Sequence, residues 1–136
     1  MSAKFKLVII LFTTILSLSC NTKQQSKSQE KELSAIVVNP VEFKEKSINQ
    51  VVVDVRTPDE YSEGHIEGAV NVNYFDSNFS EQISKFEKTK PIFVYCRSGK
   101  RSTSAASKLI ELGYNQVYNL EGGILNWASN NFQIIE

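Results

Sequence analysis

The sequence predicts an α/β fold with a mostly parallel central sheet and helices on both faces. Three observations carry this. Val51-Val52-Val53-Asp54-Val55 and Pro91-Ile92-Phe93-Val94-Tyr95 are short runs rich in β-branched and aromatic residues. Strands buried on both faces need such runs. Stretches with apolar residues at helical spacing separate them. Strand-like and helical segments alternate at short intervals, which calls for crossover connections rather than hairpins.

Taken in order, Leu33 to Val38 is a weak apolar run expected at a sheet edge. Pro40 suits the first turn of a helix running from about Val41 to Ile48. Val51 to Val55 is the expected central strand. Thr57-Pro58-Asp59-Glu60 opens a helix of one or two turns through Tyr61 and Glu63. Ala69 to Asn73 alternates in polarity and reads as another short strand, and Phe79 to Phe86 reads as a helix around Ile83. Pro91 to Tyr95 is a buried strand. Ser102 to Leu112 places Ala105, Leu109 and Leu112 at helical spacing, and Gly113 ends that helix. Gln116 to Leu120 is the last strand. Gly122 and Gly123 open a helix carrying Trp127. Asn130 and Asn131 follow it, and asparagine tolerates a left-handed backbone better than most residues.

One cysteine stands where the chemistry of such a fold gathers. Cys96 lies on the tight loop between the Pro91–Tyr95 strand and the helix that follows, at the carboxyl end of a parallel strand. The thiolate is the reactive form of cysteine, and positive potential favours it. Arg97, Lys100 and Arg101 fall within five residues of Cys96, with no acid among them. Successive loop amides and a helix N-terminus add partial positive charge. Gly99 allows a backbone conformation closed to other residues. The loop Arg97, Ser98, Gly99, Lys100, Arg101 and Ser102 is therefore expected to lower the thiol pKa and to bind an anion. The bland alternative is an inert core cysteine beside a solvated basic loop.

Three segments together resemble the rhodanese family. Cys96-Arg97-Ser98-Gly99-Lys100-Arg101-Ser102 is similar to that family's active-site loop, C-R-x-G-x-R-[ST]. Asp54-Val55-Arg56 through Glu60-Tyr61, followed by Gly64-His65-Ile66-Glu67-Gly68-Ala69, resembles its D-V-R…E-[FY]…G-H-I-x-G-A signature. Glu121-Gly122-Gly123 through Trp127 resembles its closing G-G…W. The likeness runs from about Leu33 to Glu136. It implies a three-layer rhodanese-like domain and a sulfurtransferase. In that reaction Cys96 takes sulfane sulfur from an anionic donor such as thiosulfate. It then passes the sulfur from a cysteine persulfide to a thiol or to cyanide. No cofactor and no metal are implied. One histidine and one free cysteine could not supply a closed set of metal ligands.

The first thirty-two residues read differently. Lys4 and Lys6 precede an apolar core from Leu7 to Leu18, and Ser19 and Cys20 follow. This is the layout of a secretory signal. A cysteine directly after the cleavage point resembles a bacterial lipoprotein signal. Residues 1–19 are then the signal peptide, Cys20 carries the lipid, and residues 20–32 form a polar tether to a domain over residues 33–136. Ser17 stands where the common lipoprotein signal prefers leucine, and conventional secretion or an uncleaved anchor are the other readings. The protein is expected to be exported and membrane-anchored, facing the periplasm. If Cys20 carries lipid, Cys96 is the only free thiol of the two cysteines in the chain. A lone thiol in an oxidising compartment is a poor structural choice, which favours a functional Cys96. Formal net charge is zero, so nothing points to nucleic acid as a partner. The partners expected are a small anionic sulfur donor, a thiol or cyanide acceptor, an exported acceptor protein, and a membrane reached through the lipid alone.

Asp54, Arg56 and His65 are candidates for a supporting role. An ion pair or hydrogen-bond network is the reading preferred for Asp54 and Arg56, because an unpaired charge at a strand end is costly. Arg56 could still face the pocket and contact an anion. His65, the only histidine, is read as a structural hydrogen-bonding residue. Glu60 is assigned to Arg56 or to a helix N-terminus, and Trp127 to packing near the pocket rim. Two further function classes are kept. One is a persulfide carrier or redox relay for an exported partner. The other is a phosphatase or arsenate reductase, enzymes whose cysteine loop on the same fold is one residue longer.

Overall fold

Ten short elements alternate along residues 33–136, the part of the chain that the computed structural model describes. The expected signal peptide, Cys20 and the tether lie outside the described residues. The elements are β1 (Ile36–Val38), α1 (Pro40–Lys46), β2 (Val51–Asp54), α2 (Pro58–Ser62), β3 (Val70–Asn71), α3 (Phe79–Ile83), β4 (Ile92–Tyr95), α4 (Lys100–Glu111), β5 (Val117–Leu120) and α5 (Gly123–Ser129). Each falls where the sequence places it. β1 and β3 are shorter than expected, being edge strands with one neighbour each; α1 and α3 also end sooner, and α4 starts at Lys100 rather than Ser102, which moves Lys100 and Arg101 from the expected loop onto its first turn.

All strand pairings are parallel, and the order across the sheet is β1-β5-β4-β2-β3. The chain leaves β2 on one side to form β3 and returns on the other side to form β4. That reversal opens a crevice at the carboxyl ends of β2 and β4. The loop carrying Cys96 emerges there.

Strand periodicity assigns side chains to the two faces. Val53, Ile92, Val94, Cys96 and Val117 point to one face, where Phe79 and Ile83 of α3 and Ala105, Ala106 and Leu109 of α4 cover them. Val52, Phe93, Tyr95 and Leu120 point to the other, under Phe43 of α1 and Ile124 and Trp127 of α5. The result is the expected three-layer α/β arrangement. Trp127 belongs to the second layer, edge-on to Phe43 at 6.2 Å.

Local chemistry sets the helix ends. Asn39 accepts from the Glu42 amide at 3.0 Å and Pro40 starts α1. Thr57 and Glu60 form a reciprocal capping box on α2. Gly113 takes φ +96° after α4, and the Tyr114 amide returns to the Leu109 carbonyl at 3.1 Å. Tyr114 then ties α3 down through its hydroxyl, which donates to the Ile83 carbonyl at 2.6 Å. Asn131 has φ +57°, in keeping with its sequence reading. Asn49 does the same (φ +59°) and explains why α1 stops short of Ile48.

Phe93 lies within the second layer. It is 1% exposed, edge-on to Phe43 at 5.3 Å and stacked on Tyr118 at 4.6 Å. Phe93→Ala should cost about 3–5 kcal/mol in urea unfolding. A loss below about 1 kcal/mol, typical of a surface change, would mean that this layer is not packed as described.

Candidate active site

The site is built from the end of β4, the loop 96–99 and the first turn of α4. Tyr95 is the last strand residue, and its side chain drops into the α1/α5 layer while Cys96 turns to the α4 side. The thiol is 1% exposed. Gly99 takes φ +100° and begins α4 with no side-chain cap. Its amide donates to Cys96 Sγ at 3.1 Å.

The loop keeps this shape because α5 grips it from behind. The Ile124 amide donates to the Cys96 carbonyl at 2.9 Å, and the Leu125 amide to the Arg97 carbonyl at 3.2 Å. These two orphan donors at a helix N-terminus hold the loop carbonyls on the far side. The loop amides are thereby free to face the sulfur. A Cβ on Gly123 would stand 2.4 Å from the Arg97 carbonyl oxygen and 2.5 Å from that of Cys96. The Gly122-Gly123 pair is therefore part of the thiol site, although it lies on another element.

Burial pushes the Cys96 thiol up. Hydrogen bonds from the Ser102 hydroxyl and from the amides of Ser102, Gly99 and Ser98 outweigh that, so the thiol titrates below its ordinary range. The direction agrees with the sequence reading, which named loop amides and the helix N-terminus beside the three cations. Hydrogen bonds from the loop and the first turn of α4 are the larger part, and Arg101 also interacts favourably with the thiolate charge.

The three cations have separate fates. Arg101 forms a two-pronged bond with Glu60, with Nη1 and Nη2 each 2.7 Å from a carboxylate oxygen. Its charge is largely spent there. Glu60 is read from the sequence as a partner for Arg56 or for a helix N-terminus; it caps the N-terminus of α2, and it pairs with Arg101 rather than Arg56. The residues are 41 apart in sequence, and no local pattern announces the contact. Arg97 and Lys100 are exposed and make no ion pair among the described residues. The Phe75 ring, 65% exposed, lies 5.6 Å from the Arg101 guanidinium and adds an aromatic edge to the rim. The sequence reading did not single it out.

Asp54, Arg56 and His65 are each held by hydrogen bonds to neighbouring elements. Asp54 is fully buried and bonds Arg56 through Nε and Nη2 at 2.6–3.0 Å. Arg56 Nη2 also donates to the Gly64 carbonyl at 2.6 Å. Asn71 Nδ2 donates to the carbonyls of both residues. Nε and Nη2 of Arg56 are thus taken by Asp54 and Gly64, and Nη1 has no hydrogen-bond partner among the described residues. His65 stacks on Tyr61 at 3.7 Å, donates from Nδ1 to the Tyr61 carbonyl at 3.0 Å, and exchanges backbone bonds with Ile135. It clasps the C-terminal segment to α2.

With the geometry in place, comparison with known proteins gives a consistent answer. The sequence profile described as a rhodanese-like domain matches residues 39–130. A thiosulfate sulfurtransferase of Shewanella oneidensis is 35% identical over 99 residues, covering 65% of this chain and 96% of the relative. A chloroplastic thiosulfate sulfurtransferase of Arabidopsis thaliana is 40% identical over 88 residues, covering 57% of this chain and 73% of its own. Among solved structures, a rhodanese-related protein of Thermoplasma volcanium superposes with a TM-score of 0.66 at 30% identity, covering 74% of this chain and 97% of that one.

The Glu60–Arg101 bond carries a pH signature. Arg101 holds the Glu60 carboxyl down to about 2, against 4.5 in the unfolded chain. Its stabilisation is therefore complete above pH 4.5 and lost as the pH falls toward 2. Glu60→Gln should cost roughly 1–2 kcal/mol at pH 7, discounted for partial exposure. The gap to wild type should narrow as the pH is lowered through that window. Urea unfolding at pH 7 and pH 3 checks this; an equal gap at both would show that the carboxylate charge does not matter.

Proposed function

This chain belongs to the rhodanese-like domain family, a family of sulfurtransferases, and we propose that it moves sulfane sulfur from an anionic donor such as thiosulfate through a persulfide on Cys96. The observation carrying the proposal is a buried thiol lowered by amides and a hydroxyl, with two exposed cations at its mouth.

The Cys96 thiolate attacks the outer sulfur of thiosulfate. A new S–S bond forms, the old S–S bond breaks, and sulfite leaves with the electron pair. Arg97 and Lys100 draw the dianion in and offset charge on the leaving sulfite. The enzyme holds a persulfide anion, whose charge the loop amides are oriented to stabilise. Cyanide or a thiolate then takes the terminal sulfur and restores the Cys96 thiolate. No residue is needed to remove a proton, because the thiol is already lowered. Asp54, Arg56 and His65 act by holding β2, β3 and α2 in place.

The exposed Phe75 ring beside the loop favours a second reading. An acceptor protein that covers this ring would make the domain a persulfide carrier. A phosphatase is disfavoured, since Arg101 is engaged by Glu60. We further propose that Cys20 carries lipid and that the domain acts on the exported side of a membrane. The support is the order of Lys4, Lys6, the apolar run to Leu18, and Cys20.

Intact mass spectrometry of the full chain before and after thiosulfate tests the reaction. Wild type should gain about 32 Da, one sulfur atom, and cyanide should discharge it as thiocyanate, in the two half-reactions expected of covalent catalysis. Cys96→Ser should gain nothing. Loading without turnover on cyanide would favour the carrier, and no loading on wild type would remove thiosulfate as donor. The same spectra on membrane-derived protein read the lipid on Cys20 directly.

A further inference from the structure

Phe75 stands where a partner of the reacting loop would meet it. A short ladder of backbone bonds leads there from the residue before Cys96. The Val55 amide donates to the Tyr95 carbonyl at 3.0 Å, and the Tyr74 amide to the Val55 carbonyl at 3.0 Å. The turn after β3 is thereby tied to the carboxyl ends of β2 and β4. Tyr74 packs inward on the core that includes Cys96, edge-on to Phe79 at 5.3 Å. Phe75 turns outward, 65% exposed, with its ring 5.6 Å from the Arg101 guanidinium. Among the described residues it is the only exposed aromatic side chain.

The ring is held in that position. Asn73 Oδ1 accepts from the Phe75 amide at 3.1 Å, and Asn73 Nδ2 donates to the Asp76 carboxylate at 2.9 Å. The Asp76 amide donates to the Asn73 carbonyl at 3.1 Å. An asparagine that bonds its own backbone two residues on fixes a turn. One exposed apolar side chain needs no explanation by itself. This one is aromatic, fixed, and set at the loop that carries Arg97 and Lys100, two exposed cations without an ion pair among the described residues. Aromatic side chains and arginine are enriched in protein interfaces. Cys96 is 1% exposed, so an acceptor has to come down to the loop past its rim. Cyanide needs no apolar anchor to do so.

We propose that this rim docks a protein acceptor whose cysteine lies among acidic and apolar residues, with Phe75 as the apolar anchor and Arg97 and Lys100 as the charged ones. This rests on the reading of Cys96 as a sulfur carrier and adds the class of acceptor. In the transfer, the acceptor thiolate attacks the outer sulfur of the Cys96 persulfide. An S–S bond forms on the acceptor, the bond to Cys96 Sγ breaks, and the electron pair returns to Cys96 as thiolate. The chain's own residues 21–32 do not suit the rim, since they bring three lysines, two glutamates and no large apolar side chain. A second copy would set like cations against one another, which repels.

The test is disulfide exchange in the full chain, which needs no sulfur donor. A synthetic peptide with one cysteine between leucines and glutamates is activated as its 2-thiopyridyl disulfide, and a counterpart carries lysines in place of the glutamates. The Cys96 thiolate attacks the peptide sulfur and releases pyridine-2-thione, followed by absorbance, with Cys96→Ser as the blank. At low salt the acidic peptide should react about ten-fold faster than the lysine peptide. Phe75→Ala should slow the acidic peptide roughly ten-fold, the scale of losing one interface anchor. It should change alkylation by iodoacetamide less than about two-fold, as a surface change does. Arg97→Glu/Lys100→Glu should reverse the preference between the peptides. Equal rates for the two peptides, or an acidic-peptide rate that Phe75→Ala leaves unmoved, overturns the proposal. So does an equal slowing of iodoacetamide, which would make Phe75 structural. A wild-type dimer in sedimentation that Phe75→Ala dissolves would assign the ring to a second copy and overturn it as well. Failure of thiosulfate to load Cys96 removes that donor and leaves these exchange rates as they are.

Discussion

The contact between the start of α5 and the back of the thiol loop sets the geometry that the site depends on. A loop residue carries one amide and one carbonyl, and the two point in roughly opposite directions. If the carbonyls of Cys96 and Arg97 are bound from behind by Ile124 and Leu125, the neighbouring amides face forward. The approach needed is so close that a Cβ on Gly123 would enter the carbonyl oxygens. The glycine pair after β5 thus acts on the cysteine after β4. The parallel pairing of β4 with β5 brings the two loops side by side.

From this follows a division of labour among polar groups. Hydrogen bonds from the loop and the first turn of α4, that of the Gly99 amide among them, hold the thiol below its ordinary range, and the charge of Arg101 adds to this. Arg97 and Lys100, exposed at the mouth, are left to meet an anion. Arg101 is bound to Glu60 and braces α4 against α2. The buried Asp54–Arg56 pair satisfies the carboxyl end of β2 and cross-links it to the Gly64 carbonyl. A buried pair of this kind adds little net stability, but removing one partner is costly.

Much of this was legible in the sequence for physical reasons. The apolar strand runs, Pro40, the Thr57–Glu60 capping box and Gly113 are local signals, and local chemistry places those elements. Cys96 stood out because its loop carries chemistry at a strand end. What escaped was non-local. The Glu60–Arg101 bond joins residues 41 apart. Asn119 sits inside a strand that reads as ordinary β structure, and its bond to Thr103 exists only where α4 crosses it. The cause of the thiolate was legible in part: the cations, the loop amides and the helix N-terminus were all named, but not which amide meets the sulfur. A sequence displays side-chain charges and conceals the direction of backbone amides, so the weight of the loop against the cations could not be read from it.

That last point is the centre of the account. The direct measurement is the pH midpoint of Cys96 alkylation in an Arg97→Gln/Lys100→Gln double variant beside wild type, at low salt, where exposed charges are least screened and any contribution from the cations is largest. If backbone dipoles and Ser102 hold the thiolate, the midpoint should stay within about half a unit of wild type and well below the ordinary thiol value of about 8.5. A midpoint that returns to the ordinary value would contradict the account and restore the thiolate to the side-chain cations.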